Sequence, residues 1–315
     1  MTDAERMLRA ARRPLVLGIG GGGDVVGALA TAEHARLHHG ADPLLGGVTW
    51  ERRVVDPEPG PRRADEIEGA RELAPAVIAA GPETRVRASG VRPAESRMAE
   101  LLDEEVLLVD PNRGPRAVAE GLAAAADLLG ADLVAFVDVG GDVLAHGDEP
   151  GLSSPLCDAV LLAAAAHLAA SGRPVLGGIF GPGCDGELTP AEVDERLTEV
   201  GAAGGLAGTW GLTPDVVTAL ERAVAAIPTE ASALPIRAFH GERGPTEIRS
   251  GRRTVELTAN AAITAYFDVP AAIGSAARLA AAVRDASSLE EANDLLHRLG
   301  VTSELDLERR AVAGR

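Results

Sequence analysis

Lysine is missing altogether: each of the 30 basic residues in this 315-residue chain is arginine. That excludes the mechanisms that need a lysine amine. A pyridoxal enzyme or a lysine aldolase has no candidate for its Schiff base. A P-loop NTPase or a protein kinase has none for its phosphate contact. Aromatic residues are scarce too, at 2%. The interior must therefore be built from Ala, Val, Leu and Ile, which suits helices packed on a buried parallel sheet. Cys157 and Cys184 are the two cysteines. They lie far apart and fit no zinc or redox spacing, so free thiols are expected. The longest apolar run, Ala159 to Ala166, has eight residues, far fewer than a membrane span needs. The opening MTDAERMLRAARR is charged and does not read as a signal peptide. A cytoplasmic protein is expected. Positive charge is also in deficit. A net charge of −17 argues against nucleic acid and against anionic membrane surfaces as partners.

What the chain does have is a series of apolar runs that end in glycine or aspartate. Pro14 to Gly20, Leu44 to Thr49, Val106 to Asp110, Leu133 to Val139 and Pro174 to Phe180 read as buried strands. Arg253 to Thr258 alternates and reads as an edge strand. Helical patterns fill the gaps, at Val25 to His39, Pro115 to Leu129 and Pro155 to Ala170. Thr189 to Glu192 is a capping box with Pro at N1, opening a helix to about Val200. Thr213-Pro214 opens another to about Ala226. Ser288 with Glu291 caps a last one to about Arg298.

Strand–helix alternation across residues 14–200 implies right-handed βαβ units. The expected fold is α/β and Rossmann-like: an open, mainly parallel sheet with helices on both faces and a helical C-terminal part. No linker divides the chain, so residues 1–315 read as one domain. Its ligand-binding half spans about 14–200 and a mainly helical part about 201–303. Residues 52–64 read as a surface loop and 240–252 as a loop or hairpin. Residues 304–315 read as a frayed tail.

In open parallel sheets, ligands bind beyond the carboxyl ends of the strands. Five such ends carry glycine or polar residues here. The first is Gly20, Gly21, Gly22, Gly23 and Asp24. Its amides could approach a phosphate or carboxylate, helped by the positive end of the following helix. Asp24 stands where that helix begins, which spoils a clean dinucleotide fingerprint. The second end is Thr49-Trp50-Glu51 and the third Asp110 to Gly114. The fourth runs from Asp138 through Gly140 and Gly141 to Asp142, and the fifth includes Gly183, Asp185 and Glu187. Asp138, Asp142 and Asp185 are candidates to hold Mg²⁺ through oxygen ligands or to act as acid–base catalysts. Each alone could equally cap a turn.

Farther on, Thr229 and Glu230 are candidate ligand contacts. Without lysine, an anion clamp needs arginine, and Arg113, Arg237 and Arg243 are candidates. Ser154 reads as an N-cap. Asp158 either faces the rim or favours its own helix dipole. His34 and His38 read as a solvated helix surface, His146 as a possible acid or base, and His167 as a packing residue.

Six motifs together carry a resemblance: GIGGGGDVVG at Gly18, FVDVGGDVL at Phe136, SSPLCDA at Ser153, GPGCDGELT at Gly181, PTEAS at Pro228 and VELTANAAITAYFD at Val255. The chain resembles the uncharacterised family labelled domain of unknown function 1152 over nearly its whole length. That resemblance implies one structural unit and no particular activity. The residues lead to an enzyme acting on a phosphorylated or carboxylated small metabolite, of nucleotide or sugar-phosphate class. Hydrolysis, lyase chemistry and group transfer all fit, and a homo-oligomer is compatible. The alternatives are a regulatory module that binds a small ligand without chemistry, and a dinucleotide-dependent oxidoreductase using Glu51.

Overall fold

Strands of pure aliphatic character need cover on both faces, and that need organises the molecule. The computed structural model describes residues 2–314. Its first half runs α1 (Ala4–Ala10), β1 (Pro14–Gly18), α2 (Asp24–His39), β2 (Leu44–Val48), β3 (Ile67–Ala74), β4 (Val77–Val86), α3 (Ala94–Leu102), β5 (Val106–Val109), α4 (Gly114–Leu129), β6 (Leu133–Val139) and α5 (Pro155–Ala170). The second half continues with β7 (Val175–Phe180), α6 (Pro190–Ala202), β8 (Leu206–Gly211), α7 (Pro214–Ala226), α8 (Leu234–Phe239), β9 (Gly244–Ile248), β10 (Arg253–Leu257) and β11 (Ile263–Phe267). The helices α9 (Val269–Ile273), α10 (Arg278–Val283), α11 (Leu289–Arg298) and α12 (Glu304–Ala313) complete the chain.

Five strands form a parallel core in the order β5-β2-β1-β6-β7. The hairpin β3–β4 extends one side and β11–β8 the other, all antiparallel. Helices α1, α2, α3 and α7 cover one face, and α4, α5, α9, α10 and α11 the other. Helix α5 is apolar nearly all round because α4, α9, α10 and α11 enclose it. The chain leaves β1 toward one side of the core and later returns to β6 on its other side. That reversal is the topological switch point, where doubly wound proteins bind ligands.

Three expectations need correction. Residues 304–313 are not frayed: Ser303 caps α12 through a reciprocal pair with Asp306, and the helix docks on α5. Arg253 to Thr258 is no edge of the main sheet; β10 pairs with β9 in a separate two-stranded sheet. The C-terminal part also gives β8 and β11 to the main sheet. Both strands are short; β8 is mostly exposed and carries a weak apolar pattern, whereas β11 is buried in all but its first residue.

Candidate functional site

The turns at the switch point bring six acids into the interior: Asp24, Asp138, Asp142, Asp158, Asp185 and Glu187 are all buried. Asp24 opens α2 directly after β1, and Asp138 lies in β6 beside β1. Asp158 sits one turn into α5, which follows β6. Asp24, Asp138 and Asp158 place one carboxylate oxygen each within 4.8 Å of one another. Asp142, Asp185 and Glu187 do the same, also within 4.8 Å. The expected trio is thus divided. Asp138 belongs to the first triad, and Asp142 and Asp185 belong to the second.

The first triad is short of hydrogen bonds. Asp24 Oδ2 accepts from Gly20 N at 3.0 Å. Asp138 Oδ2 accepts from Gly141 N at 2.8 Å and Val143 N at 3.3 Å. Asp158 Oδ1 is buried with no hydrogen-bond partner among the described residues. Burial and mutual repulsion disfavour ionisation throughout. Burial pushes Asp24 up to about 6, against the pull of Arg52 and nearby amides. Burial, then the neighbouring acids, raise Asp138 and Asp158 well above the usual carboxylate range.

The second triad is better satisfied. Glu187 accepts from Ser153 N at 2.7 Å and Ser154 N at 2.8 Å, and from both serine hydroxyls. Arg249 stands 3.4 Å and Arg253 3.6 Å from its Oε1. Burial opposes its charge, but Arg253, Ser154 and Arg249 outweigh that and hold the Glu187 carboxyl below its usual range. Asp185, buried beside Glu187, is pushed up to about 7. Asp142 rises well above normal through burial and then Asp158. Gly140 makes this second grouping possible. Its φ is +119°, and a Cβ there would stand 2.2 Å from the Asp185 carboxyl.

Arginines close the site at its partly exposed mouth. Arg52 donates to Ser154 Oγ at 3.4 Å. Burial works against the Arg52 charge, but Asp24, Glu187, Asp142 and Asp158 prevail and hold its proton more tightly than usual. Arg52, Arg249 and Arg253 therefore take the place expected of Arg113, Arg237 and Arg243. Arg237 instead pairs with Glu242, Arg243 donates to the Ala238 carbonyl, and Arg113 is exposed. Arg52 lies in the stretch read as a surface loop. Arg249 and Arg253 lie in and beside the β9–β10 hairpin.

The glycine loop closes over the first triad, and its amides are partly engaged. Gly20 N bonds Asp24, and Gly22 N donates to Trp50 O at 2.8 Å. The loop packs tightly against the segment holding Thr229, where Ser232 Oγ donates to Gly23 O at 3.0 Å. A Cβ on Gly23 would stand 2.3 Å from Thr229 Cβ. Gly23→Ala is expected to destabilise the fold by about 1–3 kcal/mol. Adding Thr229→Gly should restore part of that loss, as urea unfolding of the double-mutant cycle will show. Glu230 is exposed and accepts from Arg249 N, so it supports the hairpin. Gly183 N donates to Gly140 O at 2.7 Å and joins the two turns.

Several other positions lie apart from this centre. Asp110, at the end of β5, accepts from Ala64 N at 3.0 Å and Asn112 N at 2.9 Å. His146 pairs with Glu199 at 3.0 Å, and His167 meets the Arg284 carbonyl at 2.8 Å. Glu51 accepts from Ala94 N at the start of α3, so its carboxylate is engaged inside the fold.

Ser154 occupies the N-cap position of α5, but its hydroxyl turns to Glu187. The first amides of α5 are met by Glu304 of α12, at 3.0 Å from Leu156 N and 2.8 Å from Cys157 N. Glu304→Ala should cost about 1 kcal/mol, as loss of a helix cap does. Chemical denaturation against Glu304→Gln separates that cap from the packing of α12. Both cysteines are free and buried. Cys157 donates to Ile19 O at 3.0 Å.

The fold and this centre define a doubly wound α/β protein with an acidic, arginine-lidded site at its switch point. The chain belongs to the family described as protein of unknown function (DUF1152), whose model matches residues 15–312. No curated protein and no solved structure matches it.

Proposed function

We propose that the protein is an enzyme acting on a small anionic metabolite, phosphorylated or carboxylated, with a divalent cation of Mg²⁺ type in its acidic site. The observation that carries this reading is the first triad. Three buried carboxylates at the switch point face one another, and Asp158 Oδ1 has no hydrogen-bond partner among the described residues. A hard cation bound through oxygens would satisfy that atom and relieve the repulsion. Asp24, Asp138 and Asp158 would hold it. When bound, such a cation polarises a phosphoryl or carbonyl oxygen.

The anion itself needs positive partners, because bare carboxylates repel it. Arg52, Arg249 and Arg253 stand at the mouth for that role. Asp185, pushed up to about 7 and outside the set that would hold the cation, suits proton transfer at physiological pH. The glycine loop acts mainly by letting the chain approach the triad closely, since Gly20 and Gly22 have already committed their amides. Glu51 is spent on α3, which disfavours the dinucleotide alternative.

The test is a thermal-unfolding screen of nucleotides, sugar phosphates and carboxylates, with and without Mg²⁺. A ligand at 100 times its Kd stabilises by about 2.7 kcal/mol. Stabilisation by an anion that depends on Mg²⁺ supports the proposal. If the effective anions ignore Mg²⁺, or none is effective, the proposal fails.

A further inference from the structure

Away from the acidic site, α1 and α2 assemble a second set of ligand atoms of different chemistry. Glu5 of α1 and His34 and His39 of α2 each present one donor atom, all within 4.8 Å of one another. His39 Nε2 stands 3.5 Å from Glu5 Oε2. Zinc with bonds of about 2.0–2.1 Å spaces tetrahedral donors about 3.4 Å apart. The contact therefore already has close to the spacing of two ligands on one ion.

A second observation points to a ligand. The His39 side chain is 7% exposed, yet among the described residues its Nε2 makes no hydrogen bond. Buried imidazole nitrogens normally find a partner. The other members are held in place. Arg9 takes the second oxygen of Glu5, leaving Oε2 toward His39. Trp210 of β8 stacks on the His34 ring with centroids 3.5 Å apart.

We propose that Glu5, His34 and His39 form a binding site for a transition-metal dication of Zn²⁺ type, with solvent completing the coordination. Two imidazoles and one carboxylate suit Zn²⁺, Co²⁺ or Ni²⁺, whereas the all-oxygen triad suits Mg²⁺. An ion here ties α1 to the end of α2. The spacing His34–His38 on one helix face does not reveal this set. His39 and Glu5 complete it, and Glu5 comes from another helix.

The experiment uses tag-free full-length protein stripped with a chelator and titrated with Co²⁺, followed by visible absorption. The expected result is saturable binding with ligand-field bands, reversed by Zn²⁺. Glu5→Gln and His39→Ala should each weaken it by about tenfold or more, judged from the 10–100-fold cost of losing even a supporting partner. Asp158→Asn should leave it unchanged. Glu5→Gln lies on a partly exposed side chain, so it keeps the test independent of folding. Wild-type Co²⁺ affinity in both ligand variants, or loss of the bands only in Asp158→Asn, would overturn the assignment.

Discussion

Asp158→Asn should abolish the response of the protein to Mg²⁺ while leaving the metal-free fold as stable as the wild type or more so. The direction follows from the surroundings of the side chain. Asp158 is buried among Asp24, Asp138 and Asp142, has one oxygen without a partner among the described residues, and receives only a minor counter-pull from Arg52. Without metal the buried Asp158 carboxyl holds a proton that folding must draw from solvent, so Asn removes that cost and a ligand at once. A residue kept for function against stability behaves this way. Loss of a supporting partner alone costs 10–100-fold in metal affinity, so loss of a direct ligand should cost about 100-fold or more. Thermal unfolding with and without Mg²⁺ reads both effects. A variant that unfolds more readily than the metal-free wild type would make Asp158 a structural residue.

The second large effect is on pH. In the unfolded chain Asp24 and Asp185 ionise near 3.8; in the fold they ionise near 6 and 7. Between those values the folded state holds more protons than the unfolded state. Stability therefore falls as pH rises through that window. For Asp24 alone, moving from 3.8 to about 6 corresponds to roughly 3 kcal/mol at neutral pH. The metal-free protein should thus melt about 5 °C lower at pH 8 than at pH 5. Mg²⁺ should close that gap, because it substitutes for the protons. A melting temperature independent of pH, or one that rises toward pH 8 without metal, would show that the acids are not held as described.

Much of this architecture was legible in the sequence. The five core strands and the helices between them are marked by aliphatic runs, Gly ends and capping residues such as Thr189 and Ser288, all of which act locally. That Asp138, Asp142 and Asp185 end up buried near Asp24 and the glycine loop was legible from where parallel strands end. The division into two triads was not, because it depends on how Asp158 on α5 and Glu187 beyond β7 point across space. Arg52 was hidden for the same reason. It stands among Pro and Arg residues that read as surface, and only the fold of the loop turns it inward. Arg249, Arg253 and Glu304 reach the site from distant parts of the chain, and no local spacing announces them. The ordered α12 was missed because its charged sequence looks solvated, although Ser303 and Asp306 form a capping box at its start.

Under the proposed function, the buried switch-point acids hold protons in place of a divalent cation. Calorimetric titration of the metal-free protein with Mg²⁺ at pH 6.5, repeated in buffers of different ionisation enthalpy, tests it most directly. The expected result is saturable binding with release of protons to the buffer, both lost in Asp158→Asn. Absence of Mg²⁺ binding, or binding whose heat is the same in every buffer, would contradict it.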